Sequence, residues 1–380
     1  MRSNYKQLGQ FIRPVDVRNH DLSVSRLLGV SIAKEFIPSI ANTVGTDMSS
    51  YKIVRKGQFA YGPVTSRNGD KISVALLREE ACIISSAYTA FEITDTNKLD
   101  PEYLMLWFSR PEFDRYARYH SHGSVREIFG WDEMCRVELP VPDIEEQRQI
   151  VREVNRLNAK ISLNSKTINS VEESAKSLFR AFFITHSLVS LDLVQSWPEG
   201  VLSDRVEIRR GASPRPIQDY VSDSGFNWLK ISDASATEGP YITRIKEKIK
   251  PEGISQTVSL TQGNLVLSNS ATPGMPKILE INTCIHDGWL YFPKSEYSVE
   301  FLYLLFLNIR EQLIPMANGS VFTNLKTEIV KAIPILHPDL KTLGDFNRLV
   351  KSHFKLLKSL AVQNEKLSRV RELLLAGRFK

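Results

Sequence analysis

Between residues 150 and 182 one series of apolar side chains falls at Ile150, Val154, Leu157, Ile161, Ile168, Val171, Ala175, Leu178 and Phe182. The steps alternate four and three, and Asn164 is the one interruption. This is the a/d seam of a coiled coil sustained over several heptads. At about 1.5 Å per residue the seam is roughly 50 Å long. A seam this strict requires a partner helix, and that requirement constrains the chain more than any other stretch does. A candidate partner lies 196 residues downstream in the same chain.

The flanking sequence sets the bounds of the first helix. Pro140 and Pro142 exclude helix up to that point. Asp143 is a good N-cap, with Glu145 and Glu146 in the first turn. The pattern predicts a helix from there to about Phe183, a polar junction at 190–196 and a breaker at Trp197, Pro198 and Gly200. Upstream, residues 1–140 read as mixed α/β. Short β-like runs occur at 58–61, 72–76 and 82–84, a turn at 67–70, and a helix at 102–108 after the Asp100-Pro101 start signal. A polar loop at 120–125 and an apolar exit at 137–142 follow.

The second half repeats this plan. Residues 263–268 resemble 57–61, and Lys277-Ile278 echoes Lys71-Ile72, both at an offset of 206. Glu300, Leu302, Leu305 and Phe306 echo Glu102, Leu104, Trp107 and Phe108 at 198. Gly319, Ser320 and Val321 repeat Gly123, Ser124 and Val125 at 196, and 332–335 repeats 138–141 at 194. Matches in one order at such similar offsets indicate an internal duplication. The helix repeats at 196, a multiple of seven, so heptad phase is kept.

The second seam falls at Phe346, Val350, His353, Leu357, Leu360, Asn364, Leu367, Arg371 and Leu374. It is weaker, and a register in which Phe346 and Leu349 share the core with Leu356 stays open. A tandem repeat closing on itself by a two-fold axis pairs the helices antiparallel. That pairing sets Asn164 close to Asn364, as a buried polar pair that fixes register; the alternative is two unrelated surface asparagines.

Composition narrows the class. Forty-nine Lys and Arg against 43 Asp and Glu give a formal net charge of +6, compatible with an anionic partner but not diagnostic. No apolar run reaches the roughly 18 residues of a membrane span, and the opening residues lack an apolar signal core. Cys82, Cys135 and Cys284 are scattered, without C-x-x-C, which fits a reducing cytoplasm and not structural zinc. The first and last of these read as core residues. The chain has no G-x-x-x-x-G-K-[ST], E-x-K, G-x-S-x-G or H-E-x-x-H, and no Asn-Pro-Pro or Asp-Pro-Pro. His120 and His122 could form a metal-ligand edge, but no third ligand is spaced to match; a loop pair facing solvent or phosphate is the other reading. The chain therefore reads as a binding protein, with catalysis left to others.

Basic and polar residues gather between the β-like runs. The first half offers Arg55, Lys56, Arg67, Asn68 and Lys71, then His120, His122, Ser124 and Arg126, with Arg115 and Arg118 nearby. The second offers Arg209, Arg210, Ser213 and Arg215, then Lys246 and Lys248, with Asn269, Lys277, Asn318 and Ser320 on polar segments. Arg and Lys supply phosphate contacts and bidentate guanine contacts, while Asn and Gln suit adenine. Arg148, Arg152, Arg156 and Lys160 form an i,i+4 stripe on the first helix. That stripe is a solvated face, a dock for an acidic partner or a backbone contact.

Residues 139–151, with Pro142, Gln147 and Ile150 in a Pro-x-x-x-x-Gln-x-x-Ile pattern, lead into the long helix. This segment closely resembles the first spacer region of DNA-specificity subunits from type I restriction–modification systems. The second spacer keeps Pro334 and Pro338 but replaces the Gln-x-x-Ile element around 344–349. Residues 209–233, with Gly211, Pro214, Trp228 and Asp233, look like the opening of a target-recognition domain; the first half lacks that Gly-x-x-Pro opening. The resemblance covers essentially the whole chain.

It implies an α+β or α/β protein with a pseudo-two-fold repeat: target-recognition domains at 1–142 and 187–338, spacer helices at 143–186 and 339–380, and an antiparallel coiled coil between the helices. Each domain would read one half-site of an asymmetric, bipartite DNA sequence, with the gap set by the helices. Two modification subunits would dock on the helices and carry S-adenosylmethionine, and motor–nuclease subunits would carry ATP. The resemblance implies no cofactor, metal or catalytic residue in this chain, and no membrane. A coiled-coil scaffold joining two protein-binding domains is the competing reading.

Overall fold

The structure is a computed structural model that describes residues 5–39, 45–66, 68–123, 126–316 and 324–379. Two compact units divide the chain: residues 1–158 with 370–380, and residues 159–369. The repeated Gly-Ser-Val stretches at 123–125 and 319–321 lie wholly or partly outside the described residues.

In the first unit, Tyr5–Gln7 pairs antiparallel with Glu138–Pro140. A four-stranded sheet runs in the order Ile12–Val15, Thr89–Ile93, Phe59–Tyr61, Val74–Leu76, with every pair antiparallel. Lys52–Val54 pairs with Cys82–Ile84 beside it. Helix Pro101–Phe108 begins where Asp100 Oδ1 accepts the Tyr103 N–H at 3.0 Å, and it closes one face of an aromatic core. Phe59 stacks on Phe91 at 4.9 Å between ring centroids, and Phe108 meets both edge-on.

The second unit builds the same sheet again. Glu199–Val201 pairs with Pro334–Leu336. The main sheet runs Val206–Arg210, Trp289–Ser295, Leu265–Ser268, Pro276–Leu279, with Tyr241–Ile242 added parallel at the edge. A second sheet places Phe226–Leu229 parallel to Thr283–Ile285, which pairs antiparallel with Val258–Leu260. Helix Val299–Met316 takes the place that Pro101–Phe108 has in the first unit. The internal repeat therefore holds in strand order, and the α+β reading with it.

The long helices span Ile144–Phe183 and Leu340–Arg378. Asp143 caps the first through the Glu146 N–H at 2.9 Å. Asp339 caps the second through the Lys341 and Thr342 N–H groups at 2.9 and 3.0 Å. Within the first unit Arg371 donates to Asn158 at 2.8 Å, and Arg378 approaches Glu146 at 3.6 Å. Within the second, Asn164 meets Asn364, Ser174 meets His353 at 3.1 Å, and Phe182 packs on Phe346. Numbers rise along one helix as they fall along the other, so in each unit the pairing is antiparallel.

The seam departs from a strict heptad where the globular part packs against it. Phe179 is buried ahead of Leu178, Phe354 ahead of His353 and Ala361 ahead of Leu360. Phe179 contacts Phe301 at 5.4 Å, and Phe354 contacts Tyr303 at 5.7 Å. Core aromatics thus widen the buried stripe by one position beyond an a/d seam. The register placing Leu349 and Leu356 in the core is corrected, since they are 49% and 43% exposed.

Asn164 Nδ2 donates to Asn364 Oδ1 at 2.9 Å and to Gln363 Oε1 at 2.7 Å. Gln147 is fully buried on the opposite stretch of the first helix. Its Nε2 donates to the Lys98 and Pro142 carbonyls at 2.9 and 2.8 Å, and its Oε1 accepts the Asp100 N–H at 2.9 Å. The Gln of the Pro-x-x-x-x-Gln-x-x-Ile pattern thus ties the helix entry to the loop that caps helix Pro101–Phe108. At the matching place in the second helix stands Leu343, buried in an apolar core, which explains why the pattern lapses there.

Gln147→Leu removes the side-chain partner of three backbone groups from a fully buried site and should destabilise the first unit by about 2–3 kcal/mol in urea unfolding. Asn164→Leu alone should cost about 1 kcal/mol, whereas Asn164→Leu with Asn364→Leu should match or exceed the parent, because a polar seam pair trades stability for register. Equal losses in the single and double variants would contradict the pairing.

Candidate nucleic-acid interface

In the first unit, strand Phe59–Tyr61 separates two groups of candidates. Arg55 and Lys56 are exposed on the turn before it, where Gln58 Oε1 accepts the Arg55 N–H at 2.7 Å. The loop after it carries Asn68 and Lys71. That loop begins against residues 127 and 128: Val64 bridges Ile128, and Thr65 N–H donates to the Glu127 carbonyl at 2.9 Å. His122 and Ile128 exchange backbone hydrogen bonds at 3.1 and 2.9 Å, and Arg126 is exposed. The fold therefore gathers Asn68, Lys71, His122 and Arg126 on adjoining loops and leaves Arg55 and Lys56 at the other end of the strand.

The His120 ring lies tilted against Tyr116 at 4.3 Å and faces Glu133 at 3.5 Å. Among the described residues no three His, Cys, Asp or Glu side chains gather as a metal cage. Tyr119, which the sequence did not single out, is 80% exposed, with its ring 5.0 Å from that of His120. Arg67, Ser124, Asn318 and Ser320 lie outside the described residues.

The second unit concentrates its candidates around Asp287, an acidic residue that a search for basic patches passes over. Ser213 Oγ donates to Asp287 Oδ1 at 2.8 Å. Arg215 approaches Oδ2 at 3.3 Å and Arg210 at 3.8 Å, and Arg210 Nε donates to the Asp287 carbonyl at 2.6 Å. Burial by itself would raise the Asp287 carboxyl. The Ser213 hydroxyl and the Arg210 charge outweigh that and hold it below its usual value. His286 is lowered by burial, which favours the neutral ring, and its Nδ1 accepts the Gly288 N–H at 2.8 Å. Arg215, Lys230, Ser232, Ser270, His286 and Asp287 surround a cleft of about 920 Å³ floored by Trp228. Lys230 also pairs with Glu247.

Two sequence candidates are corrected. Lys277 is 6% exposed, and its Nζ donates to the Thr237 and Gly239 carbonyls at 2.7 and 2.6 Å. It faces Val266 as Ala75 faces Ala60, so it does not correspond to the exposed Lys71. Asn269 is 1% exposed, with Nδ2 donating to the Asp287 carbonyl at 3.1 Å. Both side chains serve the fold behind the surface. Lys248 is half-buried and held by Asn227, and Arg209 is exposed but paired with Glu207 at 2.5 Å. Lys246 lines a separate recess of about 330 Å³ with Ser165, Asn364 and Glu365.

Residues 34–173 match the family described as the type I restriction modification DNA specificity domain. A relative from Haemophilus influenzae, the type I restriction enzyme HindI specificity subunit, is 23% identical over 417 residues, covering 88% of each chain. The crystal structure of the S subunit of a type I restriction–modification system from M. genitalium aligns with 99% of this chain and 96% of its own. Its TM-score is 0.54 at 14% identity, which shows a shared fold. The resemblance to type I DNA-specificity subunits is borne out. An HsdS subunit from Thermoanaerobacter tengcongensis aligns over 99% of this chain and 96% of its own, at a TM-score of 0.38 and 14% identity. Among the described residues, no helix is long and apolar enough to cross a membrane.

Burial pushes the Lys277 amine down to about 8. Between that value and the ordinary 10.5 the unfolded chain binds the extra proton, so stability should rise with pH across this window. A Lys277→Met variant should be less stable, by about 1–3 kcal/mol for two carbonyls left unpaired, and should lack the rise. Denaturant midpoints from pH 7.5 to about 10.5 check both.

Proposed function

We propose that this chain is the non-catalytic DNA-reading subunit of a type I restriction–modification assembly and that each unit reads one half of a bipartite, asymmetric site. One observation carries the reading: the same sheet order is built twice, yet the exposed polar loops differ between the copies. The first presents Asn68, Lys71, His122 and Arg126, and the second Arg210, Ser213 and Arg215. Two unlike readers on one repeated frame suit two unlike half-sites. The similarity to a type I specificity subunit along 88% of the chain supports the setting.

In this reading the helix pair sets the spacing between half-sites and docks two modification subunits on faces outside the seam. Arg152, Arg156 and Lys160 are exposed on such a face, and Arg148 shares it while pairing with Glu145. S-adenosylmethionine and ATP belong to the modification and motor–nuclease partners, and the chemistry is theirs.

The test is duplex binding by the chain assembled with its modification subunits, on random and genomic sequences at two salt concentrations. Selective binding that weakens steeply with salt is the expected result. Arg210→Ala with Arg215→Ala should weaken binding about tenfold or more and reduce the salt slope by up to about two. Absence of any sequence selectivity in the assembly would favour a protein-binding scaffold instead.

A further inference from the structure

Asp287 is an unexpected residue for a surface that meets a polyanion. A carboxylate beside a phosphate backbone repels it, so this position calls for a compensating role. Its contacts supply one. The carboxylate takes the Ser213 hydroxyl at 2.8 Å and faces both Arg215 at 3.3 Å and Arg210 at 3.8 Å. Its main-chain carbonyl takes Arg210 Nε at 2.6 Å and the buried Asn269 amide at 3.1 Å. The turn that holds it is rigid from behind. A Cβ on Gly211 would lie 2.2 Å from the His286 carbonyl oxygen, so the arginine-bearing segment is pressed onto the turn. Trp228 packs against the His286 ring at 5.8 Å.

Two exposed arginines would otherwise sample many rotamers and reach phosphates from most of them. A guanidinium fixed in orientation can present its planar fork to one base edge and fail to match another. It also loses less rotamer freedom when it binds. We propose that Asp287 is a positioning residue that turns Arg210 and Arg215 from general phosphate contacts into sequence-discriminating ones. This rests on the reading of the second unit as a DNA reader. It also gives Asn269 a role: the buried amide steadies the Asp287 carbonyl that Arg210 uses.

The experiment uses the full chain assembled with its modification subunits and a panel of duplexes substituted at each position of both half-sites. Arg210→Ala first identifies the half-site that belongs to the second unit. Asp287→Asn keeps the size and the backbone contacts and removes the charge that holds the guanidinium groups. It should cut discrimination at that half-site by at least about tenfold. Discrimination at the other half-site should be unchanged, and random duplex should bind as tightly as before or more tightly, since a negative charge is gone. Ser213→Ala, which frees one carboxylate oxygen without changing charge, should give a smaller loss at the same half-site.

Unchanged discrimination in Asp287→Asn overturns the proposal. So does an equal loss at both half-sites with a lowered melting temperature, because that marks a purely structural residue. If the parent assembly shows no selectivity, the DNA-reading function itself fails; if the parent is selective and Asp287→Asn matches it, only the positioning role fails.

Discussion

Antiparallel packing of the two long helices is the constraint on which the rest depends. It brings together residues nearly two hundred positions apart, such as Asn164 and Asn364, and both cores are built onto it. In the second unit Phe179, Phe182 and Phe346 join the same core as Leu202, Phe301 and Leu305. In the first, Ile150 and Phe379 join Phe59, Phe91, Tyr103 and Leu139. The helices are therefore not rods to which finished domains are attached. Each globular part uses helix side chains as one wall of its interior, and removing that wall would expose large aromatic surface.

Much of this was legible because helices and caps write their rules locally. The four-and-three spacing, the Asp143 cap and the Asp100-Pro101 start each became the element they indicate. The one-position shifts at Phe179, Phe354 and Ala361 were not legible, since they depend on what packs beside the seam. A heptad describes two helices alone, whereas here aromatic residues such as Phe301 and Tyr303 press in from a third direction. The strand repeat was legible in order but not in register. Lys71 and Lys277 look alike in sequence, yet strand pairing sets Lys277 opposite Val266, in the interior.

The interface was the least legible part, for an electrostatic reason. Charge counting finds Arg210 and Arg215, but their geometry is decided by an acidic residue more than seventy positions away in sequence and by a buried amide behind it. Lys277 and Asn269 look like contacts because they are polar and lie near turns. Their partners are main-chain carbonyls, which no pattern of side chains reveals. One cue was present: Lys277 lies between Met275-Pro276 and Ile278-Leu279, and a lone lysine in an apolar run tends to be a bonded interior group.

Phe379 carries a consequence for how the protein is made. Its ring lies against Tyr103 at 5.1 Å and Trp107 at 5.4 Å, with the Arg110 guanidinium 5.2 Å away, and its carbonyl accepts the Tyr5 hydroxyl at 3.1 Å. During synthesis the sheet of the first unit leaves the ribosome early, but the residue that fills this slot follows more than two hundred and fifty positions later. The whole of the second unit is translated in between. The unit that is made first is thus completed last, and until then its open aromatic slot is a surface that chaperones or neighbouring nascent chains can reach.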